Sequence, residues 1–182
     1  MKNKKQEILQ IASEQFLQSG YLAATLRDIA SRCGLEVSSI YSHFSSKEAI
    51  LREICFENAK AFLEGITLID RKLSVKDQMN KIVELHFAIL NERQGAVLLL
   101  GDEWRHLTGK NLSDFKQMRK QYESEISERL GKNYSTAEEK DVVMRYFLSG
   151  MIWIYKRKDL WNEDQKTKIK NLLFKLFSEG IA

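Results

Sequence analysis

No proline occurs in this sequence, so the residue that most often breaks a helix is missing. Long alternating runs of Val, Thr and Ile are also missing, which leaves strands with little support. No apolar run reaches the roughly 18 residues that a membrane-spanning helix needs. The opening residues, MKNKKQEILQIASEQF, start basic but lack the apolar segment and small-residue cleavage site of a secretory leader. Only Cys33 and Cys55 are present, far apart and in no CxxC pattern. A disulfide framework is therefore not expected, and a reducing cytoplasm is the expected compartment. A strong charge of one sign is lacking as well. The 182 residues carry a net +4, and residues 1–47 hold six Lys/Arg against four acids. Any case for a nucleic-acid partner must rest on where charges are placed, not on their sum.

What remains is a sequence of helices, and the expected class is all-α with about nine of them. Ile8, Ile11, Ala12 and Phe16 recur at helical spacing over residues 3–18, and Gly20 follows as a C-terminal cap. Thr25 with Asp28 resembles a capping box opening a short helix over 26–33, which ends at Gly34. A third helix is expected over 37–43. Ser45 with Glu48 predicts the start of a fourth, running to about Leu63. Ser74 with Asp77 opens a helix over 75–91, and the apolar stretch 94–107 is expected to be one more. Ser113 is expected to start a helix carrying Phe115, Met118, Tyr122, Ile126 and Leu130 and ending at Gly131. Thr136 with Glu139 opens a helix to about Arg157, and Asn162 with Gln165 opens the last, ending at Gly180. The expected division is a DNA-binding domain over residues 1–46 and a larger helical domain over 47–182.

The segment Leu26–Phe44 carries the functional signal. Two short capped helices meet at Gly34, as in a helix-turn-helix. Ala30 is small enough for the helices to cross closely, Gly34 tolerates positive φ, and Ile29, Leu35 and Ile40 fill the space between the helices. The run continues Ile40-Tyr41-Ser42-His43-Phe44, then Ser46-Lys47-Glu48. Over about residues 5–60 this pattern resembles the TetR family of one-component regulators: a Thr-capped helix with Asp28-Ile29-Ala30, a glycine turn, then Tyr41, His43, Phe44 and Lys47-Glu48. The resemblance implies a DNA-binding regulator, usually a repressor, that works as a homodimer and responds to a small-molecule effector.

A recognition helix puts its N-terminal residues at base edges in the major groove. That predicts Val37, Ser38, Ser39 and Ser42 toward bases, and Tyr41 and His43 toward phosphates. Lys47 and Thr25, at helix starts, are placed to meet phosphate, and Arg27 to reach phosphate or a guanine edge. Glu36 departs from the family pattern, since a Ser cap often stands there. Plain core roles for Tyr41 and Phe44, and a bare surface role for His43, are the competing readings.

The remainder holds several large amphipathic side chains. Asp102-Glu103-Trp104-Arg105-His106-Leu107, followed by Arg119-x-x-Tyr122, is similar to regulators in the family that respond to acyl-CoA thioesters. The implied ligand set is Trp104, Arg105, Arg119, Tyr122 and Trp153, with an arginine meeting phosphate or carboxylate and Tyr122 the thioester carbonyl. Core filler is the competing reading for each. Val143, Phe147, Met151, Ile154, Leu172, Leu173, Leu176 and Phe177 exceed what one core face needs and predict a homodimer across the last two helices, with Gly150 allowing close approach. Glu103-x-x-His106 has the spacing of half a di-iron site, but no second pair exists, so no metal and no cofactor are expected. An enzyme or a helical adaptor remains the alternative. Neither cysteine has a histidine-paired context, and an adaptor would not require Tyr41, His43 and Lys47 in one motif.

Overall fold

The computed structural model describes residues 4–129, 136–157 and 162–179. Among them are nine α-helices, one short 3-10 helix and no strand. They are α1 (Lys4–Ser19), α2 (Leu26–Arg32), α3 (Val37–Tyr41), α4 (Lys47–Thr67), α5 (Val75–Glu92), α6 (Gln94–Leu99), the 3-10 helix Glu103–His106, α7 (Gly109–Arg129), α8 (Ala137–Lys156) and α9 (Glu163–Glu179). The expected helix ends at Gly131 and Gly180, and Leu130, lie outside the described residues.

Two compact units form. One takes Met1–Lys60 with Arg93–Gln117, and the other takes Ala61–Glu92 with Met118–Ala182. In the first, α1 packs against α2 and α6, and α2 against α3. Ile8, Ala12, Phe16, Ile29, Ile40, Ile50 and Leu51 are among its fully buried apolar side chains. In the second, α9 packs against α5, and Ile66, Met79, Ile82, Val83, Ile126 and Phe147 are buried. Gly65 faces Leu85 there so closely that a Cβ would collide with the leucine side chain, which explains why that turn of α4 carries glycine.

Local chemistry explains most helix starts. Thr25 Oγ1 accepts from Asp28 N at 3.1 Å, and Asp28 Oδ2 accepts from Thr25 N at 3.1 Å, a complete capping box. Thr136 with Glu139 and Asn162 with Gln165 cap α8 and α9 in the same way, and Ser74 Oγ caps α5 by accepting from Asp77 N while donating to the Asp77 carboxylate.

Four expectations need correction. The fourth helix is capped one residue later, by Ser46 Oγ accepting from Ala49 N at 3.0 Å, and it runs on to Thr67. The expected Ser45–Glu48 box does not form, because the Glu48 carboxylate accepts instead from Thr108 N at 2.9 Å and Asn111 Nδ2 at 3.2 Å. Residues 94–107 are not one helix: α6 stops at Leu99, and a turn leads into the 3-10 helix. Ser113 does not start α7. The helix begins at Gly109, where φ is +47°, and Ser113 Oγ bonds back to the Lys110 carbonyl.

Candidate functional site

The α2–turn–α3 geometry follows from one glycine. Gly34 has φ +63°, the left-handed region that costs a residue with a Cβ about 1–2 kcal/mol. With it there, Leu35 N donates to the Ala30 carbonyl at 2.9 Å and Gly34 N to the Ser31 carbonyl at 3.1 Å, which closes α2 as a Schellman motif. The chain then reverses into α3. Ile40 is the buried residue of α3, and Phe44 just beyond it is buried too. Ser38, Tyr41, Ser42 and His43 are exposed, and Val37 and Ser39 are half-buried. Tyr41 is 56% exposed, so it is surface rather than core. Ser42 Oγ donates to the Ser39 carbonyl. Glu36 is the N-cap of α3, exposed and without a side-chain cap bond.

On α2, Arg27 is exposed and Thr25 is engaged in its own cap. The Thr25 hydroxyl and backbone N–H hold the Asp28 carboxyl below its usual range. Arg32 pairs with Glu14 at 2.6 Å and with Gln15, pinning α2 to α1.

Lys47 does more than its spacing implied. Its ammonium donates to the carbonyls of Tyr21 at 2.7 Å, Leu22 at 3.2 Å and Ala24 at 2.7 Å, and it lies 4.4 Å over the Tyr21 ring. All three donors hold the α1–α2 loop, which ends in the Thr25 cap. The neighbouring Glu48 reaches the other way, to Thr108 and Asn111 at the start of α7. Those bonds lower the Glu48 pKa. Sequence reasoning missed this pair of anchors because their partners are tens of residues away.

The five expected ligand residues fall in both units. Trp104 and Arg105 belong to the first: Trp104 is tilted on Phe115 at 5.7 Å, and Arg105 pairs with Asp102 at 2.7 Å. Arg119, Tyr122 and Trp153 belong to the second. Arg119 lies 3.7 Å from Glu123, and Trp153 is 55% exposed on α8 under the Arg157 guanidinium. Tyr122 is buried, its hydroxyl 3.3 Å from His86 Nε2. His86 is itself buried, with Nδ1 2.9 Å from the Ile82 carbonyl, and the Phe62 and Phe147 rings flank it. Glu103 accepts from Tyr21 N, His106 stacks on the Tyr21 ring, and His106 Nε2 lies 3.5 Å from Glu103 Oε2. Among the described residues no three His, Cys, Asp or Glu gather as a metal site, and no helix is long and apolar enough to cross a membrane.

Burial lowers the His86 pKa to about 4, against the ordinary 6.5. Its neutral form is favoured in the fold, so its contribution to stability is complete above pH 6.5 and is lost as pH falls from there toward 4. The unfolded chain binds that proton first, at a cost of about 3 kcal/mol overall. Urea unfolding at pH 7 and pH 4.5 should show most of this loss in the wild type. The loss should be absent from His86→Phe beyond what other groups contribute. Equal acid sensitivity in both proteins would show that His86 is not the titrating group.

The exposed polar face on a capped, glycine-turned helix pair defines a helix-turn-helix protein. Two family models agree: residues 8–54 match "Bacterial regulatory proteins, tetR family", and residues 72–156 match "Tetracyclin repressor-like, C-terminal domain". The chain belongs to the TetR family, a family of regulators rather than enzymes. It is 28% identical over 122 residues to the HTH-type transcriptional repressor KstR2 of Mycolicibacterium smegmatis, a match covering 64% of this chain and 58% of that one. The chain thus spans little more than half the length of that curated relative. In fold it resembles AibR, solved with isovaleryl coenzyme A and operator DNA (18% identity, TM-score 0.80, covering 97% of this chain and 99% of that one). It also resembles FadR from Bacillus subtilis, solved with stearoyl-CoA (19% identity, TM-score 0.70, covering 97% and 99%).

Proposed function

We propose that this chain is a cytoplasmic, homodimeric transcriptional repressor that binds operator DNA through residues 1–46 and is released by an effector bound within residues 47–182. The observation that carries the DNA reading is the division of α3: Ile40 is buried while Ser38, Tyr41, Ser42 and His43 stand exposed. A helix that spends one residue on its core and offers hydroxyls and an imidazole to solvent suits a major groove. Val37, Ser38, Ser39 and Ser42 take the base edges, Tyr41 and His43 the phosphates. Thr25, Arg27 and Lys47 flank them against the backbone, Lys47 through its charge, since its donors are held by the α1–α2 loop.

A five-residue α3 reads few base pairs, so affinity calls for two half-sites about one helical turn apart, and hence for a dimer. The effector reading leans on the relatives: AibR and FadR were each solved with a CoA thioester. An apolar molecule with an anionic part fits this reading, with Arg119 as the fork for the anion and Tyr122 within the apolar body.

The test is binding to DNA upstream of its own gene and the neighbouring genes, measured by fluorescence anisotropy across a salt series. Salt-sensitive, sequence-selective binding is expected. Ser39→Ala or Ser42→Ala should change base preference by about tenfold at one position per half-site while leaving non-specific affinity unchanged. Binding that is independent of both salt and sequence would sink the reading.

A further inference from the structure

The α1–α2 loop joins the end of α1 to the cap of α2. Gly20 ends α1 with φ +79°, its N–H donating to the Phe16 carbonyl at 2.9 Å, and Thr25 caps α2. Between them Tyr21 is buried, and its N–H bonds no backbone carbonyl among the described residues. A buried N–H has to find an acceptor. It finds Glu103, 82 positions away, whose Oε2 accepts at 3.2 Å.

Glu103 does not act alone. A 3-10 helix has three residues per turn, so side chains at i and i+3 point the same way. In Glu103–His106 this puts the carboxylate and the imidazole on one side. The His106 ring lies over the Tyr21 ring, centroids 5.1 Å and planes 20° apart, with Nε2 3.5 Å from Glu103 Oε2. Phe16 meets the same tyrosine edge-on at 5.2 Å, and Lys47 holds its carbonyl and sits over its ring. The Glu103-x-x-His106 spacing therefore meets one residue of the loop at two points, its N–H and its ring. All of these residues belong to the first unit.

We propose that Glu103 and His106 are positioning residues for operator reading: they fix Tyr21, Tyr21 fixes the loop, and the loop fixes the start of α2, against which α3 packs. The inference rests on the DNA-binding reading above and extends it to a segment far outside residues 1–46. Neither residue touches DNA; both act through Tyr21. Base edges are read by hydrogen bonds, which depend on the exact placement of α3. Non-specific attraction to phosphates depends on charge and tolerates a shifted helix. Loosening the loop therefore lowers sequence selectivity more than it lowers affinity for DNA as such.

The experiment compares Glu103→Ala with Glu103→Gln, and His106→Ala with His106→Phe. Both Glu103 variants lose the charge, but only glutamine keeps an oxygen for the Tyr21 N–H. Both His106 variants lose the imidazole, but only phenylalanine keeps a flat ring to stack. Fluorescence anisotropy measures each against the upstream duplex that the wild type prefers and a scrambled duplex of equal length and composition. The temperature is one at which circular dichroism shows each variant folded, and His106→Ala, at a half-buried ring, keeps the test open if Glu103→Ala does not fold. The alanine variants should lose about tenfold in preference for the upstream duplex, the worth of one base contact, while binding the scrambled duplex as the wild type does. Glutamine and phenylalanine should restore the preference to within about twofold. A loss shared equally by both duplexes would mark a merely structural role and overturn the proposal. Unchanged selectivity in the alanine variants, or no recovery in the conservative ones, would overturn it too. A wild type that prefers no duplex would overturn the DNA reading and the proposal with it.

Discussion

Trp153→Glu should convert the protein from dimer to folded monomer and weaken operator binding by a hundredfold or more. The helix α8 is apolar on more than one side, and the structure sorts its residues. Phe147, Met151 and Ile154 are buried within the single chain, as is Leu173 on α9. They are core, and the expectation that they form a dimer face is corrected on that ground. The side chains of Tyr155 and Phe177 lie outside the described residues. Left exposed are Val142 at 65%, Tyr146 at 59% and Trp153, with Leu172 on α9. Residues 142, 146, 150 and 153 fall on one stripe of a helix with 3.6 residues per turn. At Gly150, in the middle of that stripe, a Cβ would meet nothing within 4 Å.

A stripe of large apolar groups around a glycine gap suits close packing against a second copy of itself, and each substitution enters a two-fold interface twice. Truncating or charging an aromatic anchor at an interface centre commonly costs at least 2 kcal/mol. Losing the second DNA-binding head forfeits an effective-concentration gain of about 10²–10⁴. Light scattering should report one 21.2 kDa chain for Trp153→Glu, with helical content and unfolding midpoint kept. Phe147→Glu should instead give unfolded or insoluble protein, because it buries a charge. A dimeric Trp153→Glu, or a monomeric wild type at micromolar concentration, would rule the interface out.

What was legible in the sequence was local. Four capping pairs spaced i, i+3 close as the spacing implies, at Thr25, Ser74, Thr136 and Asn162. Gly34 takes the left-handed conformation that the turn demands. The failures were non-local. With two adjacent serines ahead of α4, the choice of cap depends on what else Glu48 can bond, and its partner Thr108 is 60 positions further on. The same bond explains α7: a start at Gly109 looks poorly capped until a carboxylate from α4 is brought to Thr108 N. The stretch 94–107 is apolar enough for one helix, yet α6 gives way after Leu99 to a turn through Gly101 and Asp102. On α8, apolar residues on several faces leave no period by which to separate core from interface. That His86 is buried beside Tyr122, 36 positions further on, is likewise non-local.

Lys47→Ala should damage the protein twice, and the two effects can be separated. Removing the ammonium leaves the carbonyls of Tyr21, Leu22 and Ala24 without their shared donor and empties the space over the Tyr21 ring. Charged hydrogen bonds to carbonyls are worth about 1.5–3 kcal/mol each when buried. Lys47 is only half-buried and water can replace part of the loss, so a fall of about 2–3 kcal/mol in unfolding free energy is expected. The loop it holds ends at Thr25, so α2 should also sit less firmly against DNA. The second effect is electrostatic: one positive charge fewer beside the phosphates should weaken binding to all sequences alike and lower the salt slope by about one. Urea denaturation reads the first effect and a salt titration of operator binding reads the second. Lys47→Arg should restore the salt slope but recover only part of the stability, since a planar guanidinium cannot point three donors at three carbonyls the way an ammonium does. Unchanged stability in Lys47→Ala would contradict the loop-anchoring role, and an unchanged salt slope would show that the Lys47 charge is not felt at the phosphates.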